Sequence, residues 1–152
     1  MINYSVANEL DCERLDFLFS KLLSDDKKNY DCNIKDNLTM SGFFLKRINL
    51  DDTILFVARY NNNIIGYIYG YVRSDNAIKM ELESYIDSLY VEEEYRCQKV
   101  GTTLLNLFIE ESEKRNVKYI FIDNKYANGH AKAVYEKLGF NQFIEGRRKE
   151  LF

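Results

Sequence analysis

Tyr85 to Gly101, YIDSLYVEEEYRCQKVG, constrains this chain more than any other stretch, because it must turn a strand into a helix within a few residues. Tyr85-Ile86 and Leu89-Tyr90-Val91 are β-rich residues around a polar Asp87-Ser88 pair and predict a strand from about Glu81 to Val91. Val100, Leu104, Leu107 and Phe108 recur on one helical face and predict the helix. Between them, Arg96-Cys97-Gln98-Lys99-Val100-Gly101 sets two cations and one glycine at a helix N-terminus. Free N–H groups and the positive end of the helix dipole suit such a place to phosphate oxygens.

A second stretch changes what the first can mean. Asn128-Gly129-His130-Ala131-Lys132-Ala133-Val134-Tyr135-Glu136-Lys137-Leu138-Gly139-Phe140 fits the pattern N-x-x-A-x-x-x-Y-x-x-x-G-F without a gap. In this order and separation the two stretches resemble the GNAT superfamily of acetyl-CoA-dependent N-acetyltransferases. The first is similar to that family's pyrophosphate motif, R/Q-x-x-G-x-G/A, with Lys99 standing at the first glycine position and Gly101 at the second. The resemblance is specific over about the C-terminal half and only permissive before Asp51.

The resemblance implies an α/β (α+β) GNAT fold, with a mixed, mostly antiparallel central sheet, splayed central strands and about four flanking helices. It implies acetyl-CoA as cofactor, with Leu89, Tyr90 and Val91 beside its pantetheine arm. The backbone from Gln98 through Lys99, Val100 and Gly101 to Thr102 would hold the diphosphate, with Arg96 and Lys99 as nearby charges and Cys97 as a small loop residue. Asn128 resembles the family's loop asparagine, which contacts the cofactor arm; read from the residues alone, it is a helix N-cap or turn residue. No metal ligand set is expected.

Two side chains carry the expected chemistry. Tyr135 resembles the acid that protonates the departing thiolate, although Ala131, Tyr135 and Leu138 also share a face that would make it plain core. Full transfer from an ordinary tyrosine to a thiolate is uphill by about 1.5 units, or about 2 kcal/mol. Asp87 is the first candidate for amine activation, with Glu81 and Glu83 as alternatives and local pairing as the plainer role. An unshifted aspartate faces an alkylammonium across a gap of about 9 kcal/mol, so it needs burial, a relaying water or a purely positioning task.

The remaining chain reads in order as βααβββαβαββ. Met1 to Val6 is a strand, Asn8 an N-cap, and Leu15, Leu18, Phe19 and Leu22 a helix that should fade near Ser24. Ile34 to Arg47 is a poorer helix interrupted by Gly42. Thr53 to Arg59 is a strand buried on both faces, Asn61-Asn62-Asn63 a turn, and Ile64 to Val72 the return strand. Gly66 and Gly70 in that strand predict a bulge or a close backbone approach. After the Val100–Arg115 helix come a Tyr119–Asp123 strand, a helix from His130 stopped by Gly139, and closing strands Phe140–Ile144 and Arg147–Phe152.

With 152 residues and no linker or repeat, residues 1–152 are expected to form a single acetyltransferase domain. The balance of 21 basic against 24 acidic residues, net −3, argues against bulk nucleic-acid binding. Three cysteines without metal-like spacing, no leader pattern and no apolar run near the roughly 18 residues of a span predict a cytoplasmic location and no membrane. The expected reaction is acetyl transfer from acetyl-CoA to a primary amine by direct attack in a ternary complex. The acceptor is a small-molecule or peptide amine, and Asp25, Asp26, Asp31, Asp36, Asp51 and Asp52 weakly favour a cationic one. A homodimer is compatible with the sequence. The competing reading is a non-catalytic acyl-CoA-binding or regulatory module on the same scaffold.

Overall fold

The apolar run Ile54–Val57 lies in β2 (Thr53–Tyr60) of the computed structural model, which describes residues 1–73, 78–125 and 127–151. β2 pairs antiparallel with β1 (Ile2–Val6) and with β3 (Asn63–Arg73), and β3 pairs antiparallel with β4 (Glu83–Val91). β5 (Tyr119–Ile122) then joins β4 in parallel, so the five strands lie in sequential order in a mixed sheet. Asn61 and Asn62, at φ 48° and 65°, make the tight hairpin turn between β2 and β3.

Strand alternation divides the core. Leu55, Val57, Tyr67, Tyr69 and Tyr90 pack with Leu15, Leu18 and Phe19 of α1 (Cys12–Asn29). Ile54, Ala58, Ile65, Ile68 and Ile86 pack with Val100, Leu104, Leu105 and Phe108 of α2 (Val100–Lys114). Each such side chain contributes about 1.5–3 kcal/mol on burial. α3 (Gly129–Lys137) leans on the α2 layer through Val134 and Tyr135 and stops at Gly139, φ 86°, as predicted.

Four expectations are corrected. The first helix does not fade near Ser24 but runs to Asn29. Lys27 and Lys28 complement the dipole in its last turn, and Arg96 anchors Asp25. The helix expected over Ile34–Arg47 does not form, leaving three α-helices among the described residues rather than about four. Buried Asp16 of α1 accepts the N–H groups of Gly42 (2.7 Å) and Phe44 (3.0 Å), donors that a helix would have spent on itself. Gly42 at φ 76° breaks the run as well.

The closing strands over Phe140–Ile144 and Arg147–Phe152 are likewise missing among the described residues, and Phe152 lies outside them. Instead Arg148 reaches Asp31 of the α1 exit at 2.7 Å, and Phe143 sets its ring on Phe121. Finally, β4 begins at Glu83 rather than Glu81. No helix among the described residues is long and apolar enough to cross a membrane.

Candidate active site

β4 has two different edges. Its pairing with β3 runs to Val91, but its pairing with β5 stops at Ile86. From Asp87 to Val91 the β5-facing side therefore has no strand partner among the described residues. The sheet opens there, and α2 starts beyond the end of the opening.

The turn into α2 is folded to present amides. Cys97 (φ 61°) and Lys99 (φ 64°) are left-handed, flanking Gln98, and such alternation turns successive N–H groups into an anion-binding nest. The N–H groups of Gln98, Lys99, Val100, Gly101 and Thr102 donate to no protein acceptor among the described residues. The conformation also explains why a glycine suits the position of Lys99, since a side chain there costs about 1–2 kcal/mol. This nest fits a diphosphate, and the unpaired β4 edge fits an amide-bearing arm.

Side chains at this end are already occupied. Arg96 donates through Nε to the Val91 carbonyl (2.9 Å), pairs with Asp25 (3.1 Å) and lies over the Tyr90 ring. Gln98 donates to the Glu94 carbonyl. Glu92, buried at the end of β4, takes Arg14 (2.6 Å) and Lys21 from α1. Burial works to raise its carboxyl pKa, but the Lys21 and Arg14 contacts outweigh this and hold it below the ordinary value. That stabilisation is present above the unfolded pKa of about 4.3 and is lost as the pH falls through the lowered one. Nothing in the run Glu92-Glu93-Glu94 marks Glu92 as the inward member.

At the other end sits Asp87. Tyr69 lies opposite Ser88 and Gly70 opposite Ile86, so Asp87 is the extra residue of a β-bulge. Gly70 permits it: a Cβ there would stand 2.0 Å from the Tyr85 carbonyl oxygen and 2.6 Å from the Phe108 ring. The close approach expected at Gly70 is thus what shapes the site. Asp87 is exposed, yet the surrounding protein raises its carboxyl pKa, a shift partly offset by Arg47. Beside it, the Tyr67 hydroxyl and the Ser88 hydroxyl are buried without a hydrogen-bond partner among the described residues. Glu83, the alternative carboxylate, is buried with Lys79 at 3.4 Å, while exposed Glu81 precedes the strand.

Tyr135 is half-buried, its ring edge-on to Phe140. Burial, helped by the charge of Asp26, pushes its pKa up to about 12. Asn128 caps α3, its side chain accepting from the Ala131 N–H at 3.1 Å. The sequence pattern had allowed that role beside a cofactor contact.

The profile of the Acetyltransferase (GNAT) family matches residues 11–140. The chain belongs to the GNAT acetyltransferase family. Its similarity to N-acetyltransferases extends to curated proteins. It is 28% identical over 106 residues to the N-alpha-acetyltransferase of Saccharolobus solfataricus, covering 66% of this chain and 64% of that protein. The chain thus spans less than two thirds of that relative's length. Among solved structures, the mutant BH1408 protein of Bacillus halodurans superposes with a TM-score of 0.88 at 20% identity, covering 99% of both chains. A predicted acetyltransferase with acetyl-CoA from Clostridium acetobutylicum gives 0.79 at 22%, covering 99% of this GNAT chain and 96% of its own. At these identities the structural likeness speaks for the fold.

Proposed function

We propose that this chain transfers an acetyl group from acetyl-CoA to a primary amine by direct attack in a ternary complex. The observation that carries the reading is the opening of β4 beyond Ile86, closed off by five N–H groups without protein acceptors at the start of α2. Backbone amides at a helix N-terminus suit a diphosphate, and the free edge at Leu89, Tyr90 and Val91 suits the pantetheine amides. Bound there, acetyl-CoA supplies the activated acetyl group. Arg96 and Lys99 add charge at the rim.

The chain's own groups then divide the proton work. Asp87 accepts a proton from the acceptor ammonium, directly or through a water. Its raised pKa narrows the gap to an alkylammonium without closing it. A backbone N–H near Leu89 or Tyr90 is the natural donor to developing negative charge on the carbonyl oxygen. Tyr135, at about 12, lies about 3.5 units above a thiol, so complete proton transfer costs about 5 kcal/mol. It therefore serves as a hydrogen-bond donor to the departing sulfur rather than as its full proton source.

Calorimetry with CoA and acetyl-CoA, followed by thiol release across an amine panel, tests this. Amine-dependent thiol release is expected; tight cofactor binding without it across the panel defeats the reading and leaves a binding module.

A further inference from the structure

Arg47 sits in a hydrogen-bonded segment and has no counter-ion among the described residues. Its segment is tied to α1 by Asp16 and by the Ser20 hydroxyl, which accepts the Met40 N–H at 3.1 Å. Its carbonyl accepts from the Thr53 hydroxyl at 2.8 Å. The guanidinium lies 3.6 Å over the Phe43 ring and spends one N–H on the Phe43 carbonyl. Phe43 in turn meets Tyr69 edge-on at 5.9 Å, and Tyr69 lies opposite Ser88, next to the bulged Asp87.

Among the described residues Arg14, Arg59, Arg96, Arg115, Arg147 and Arg148 each have a carboxylate within 4.0 Å. Arg47 has none, although Asp87 is close enough to feel its charge. The other such arginine, Arg73, is exposed and stacks on Tyr85. Two opposite charges that both act on Tyr69, with no ion pair between them among the described residues, ask for a ligand carrying both. A purely cationic acceptor would meet Arg47 as a repulsion. Of the six acidic residues that favour such an acceptor, three are paired: Asp25 with Arg96, Asp31 with Arg148 and Lys125, Asp36 with Lys27.

We infer that the acceptor is a free amino acid, its ammonium against Asp87 and its carboxylate on the Arg47 guanidinium, with Phe43 and Tyr69 walling the side chain. The inference rests on the acetyltransferase reading and narrows its substrate class. Arginine binds carboxylates bidentately, so loss of that contact should weaken the acceptor by roughly 10- to 100-fold.

The test is thiol release from acetyl-CoA with the common amino acids, each beside its own amide, and with short peptides having a free N-terminus. At least one acid should exceed its amide in kcat/KM by ~10-fold or more. Arg47→Gln should erase that preference and Arg47→Lys restore part of it, the change falling on KM. Amides or peptides that serve as well as the acids, or an Arg47→Gln variant that keeps the preference, overturn the inference while leaving acetyl transfer intact. Cofactor binding with no amine turned over defeats the acetyltransferase reading itself and this inference with it. Should Arg47→Gln fail to fold, the acid-to-amide ratio of the unaltered protein and the Arg47→Lys variant still decide.

Discussion

The two ends of β4 offer a ligand different materials. At Val91–Thr102 two of the charged side chains are spoken for: Glu92 by Arg14 and Lys21, Arg96 by Asp25 and the Val91 carbonyl. What is on offer there is main chain. At Ser84–Ser88 the reverse holds, with β3–β4 pairing nearly complete and Asp87, Ser88 and Tyr67 left with side-chain groups that no protein partner satisfies at contact. Recognition by backbone tolerates changes of residue type, because an amide is the same on any side chain. Recognition by side chains does not. A cofactor that is the same throughout a family can be held in the first way, while an acceptor that differs needs the second.

The bulge is the place to break this contrast most violently. Gly70→Ala would drive a Cβ into the Tyr85 carbonyl and the Phe108 ring. Overpacking of this kind, with backbone as the obstacle, should cost about 3 kcal/mol and lower Tm by about 10 °C for a chain of this length. Thermal unfolding read by circular dichroism gives the answer. A Tm within a degree of the parent's would mean that β4 can straighten and that the bulge does not need the glycine.

The next effect is chemical. Asp87→Asn keeps the shape and removes the base, and should lower kcat by roughly 100-fold, the low end for a positioned acid or base. The pH profile carries more information than the rate. The surrounding protein raises the carboxyl pKa by desolvation, Arg47 partly offsets it, and Tyr67 and Tyr69 flank the group. Only the ionised form accepts a proton, so kcat should rise with pH through a step above the ordinary aspartate value of about 3.9. In Asp87→Asn that step should vanish. A profile that survives the substitution hands the base role to another group.

Tyr135→Phe probes the proposed hydrogen-bond donor to the departing sulfur. A phenol at about 12 gives a hydrogen bond but not its proton, so its loss should cost roughly 10-fold in kcat, about 1.4 kcal/mol. CoA affinity by calorimetry should stay within about twofold. An unaltered kcat would return Tyr135 to the core, where it packs on Phe140.

How far the sequence revealed this arrangement depends on which end is considered. The strand, turn and helix from Tyr85 to Gly101 were legible because phosphate-binding turns rely on position: a helix start, a glycine, a strand before them. Asn61-Asn62 and Gly139 were legible because positive φ selects residue types. The α1 extension was not, because Asp25-Asp26-Lys27-Lys28 suits a solvated loop and a solvated helix turn equally. Nor was the path of residues 34–50. That path is set by one buried carboxylate, Asp16, reaching 26 and 28 residues along the chain to Gly42 and Phe44. Arg47 was overlooked for the same reason, since its isolation from carboxylates exists only in three dimensions. Gly70 was flagged, but its partner in the bulge, Asp87, became visible only with the register.

The smallest effect sharpens the comparison most. Lys99 sits at φ 64° at the start of α2, without a side-chain cap. Replacing it with glycine relieves about 1–2 kcal/mol of left-handed strain and returns about 0.5–1 kcal/mol of chain entropy to the unfolded state. Lys99→Gly should therefore stabilise the fold by about 0.5–1 kcal/mol, a Tm rise of about 2 °C. Its effect on CoA affinity separates two ways of holding a diphosphate. If the amides from Gln98 to Thr102 do the work, removing one exposed ammonium leaves the Kd within about threefold, since a solvent-exposed charge contact contributes well under 1 kcal/mol. A tenfold or greater weakening, erased at high salt, would show that the lysine compensates by charge for the glycine it replaced, and that this end of β4 too is read by side chains.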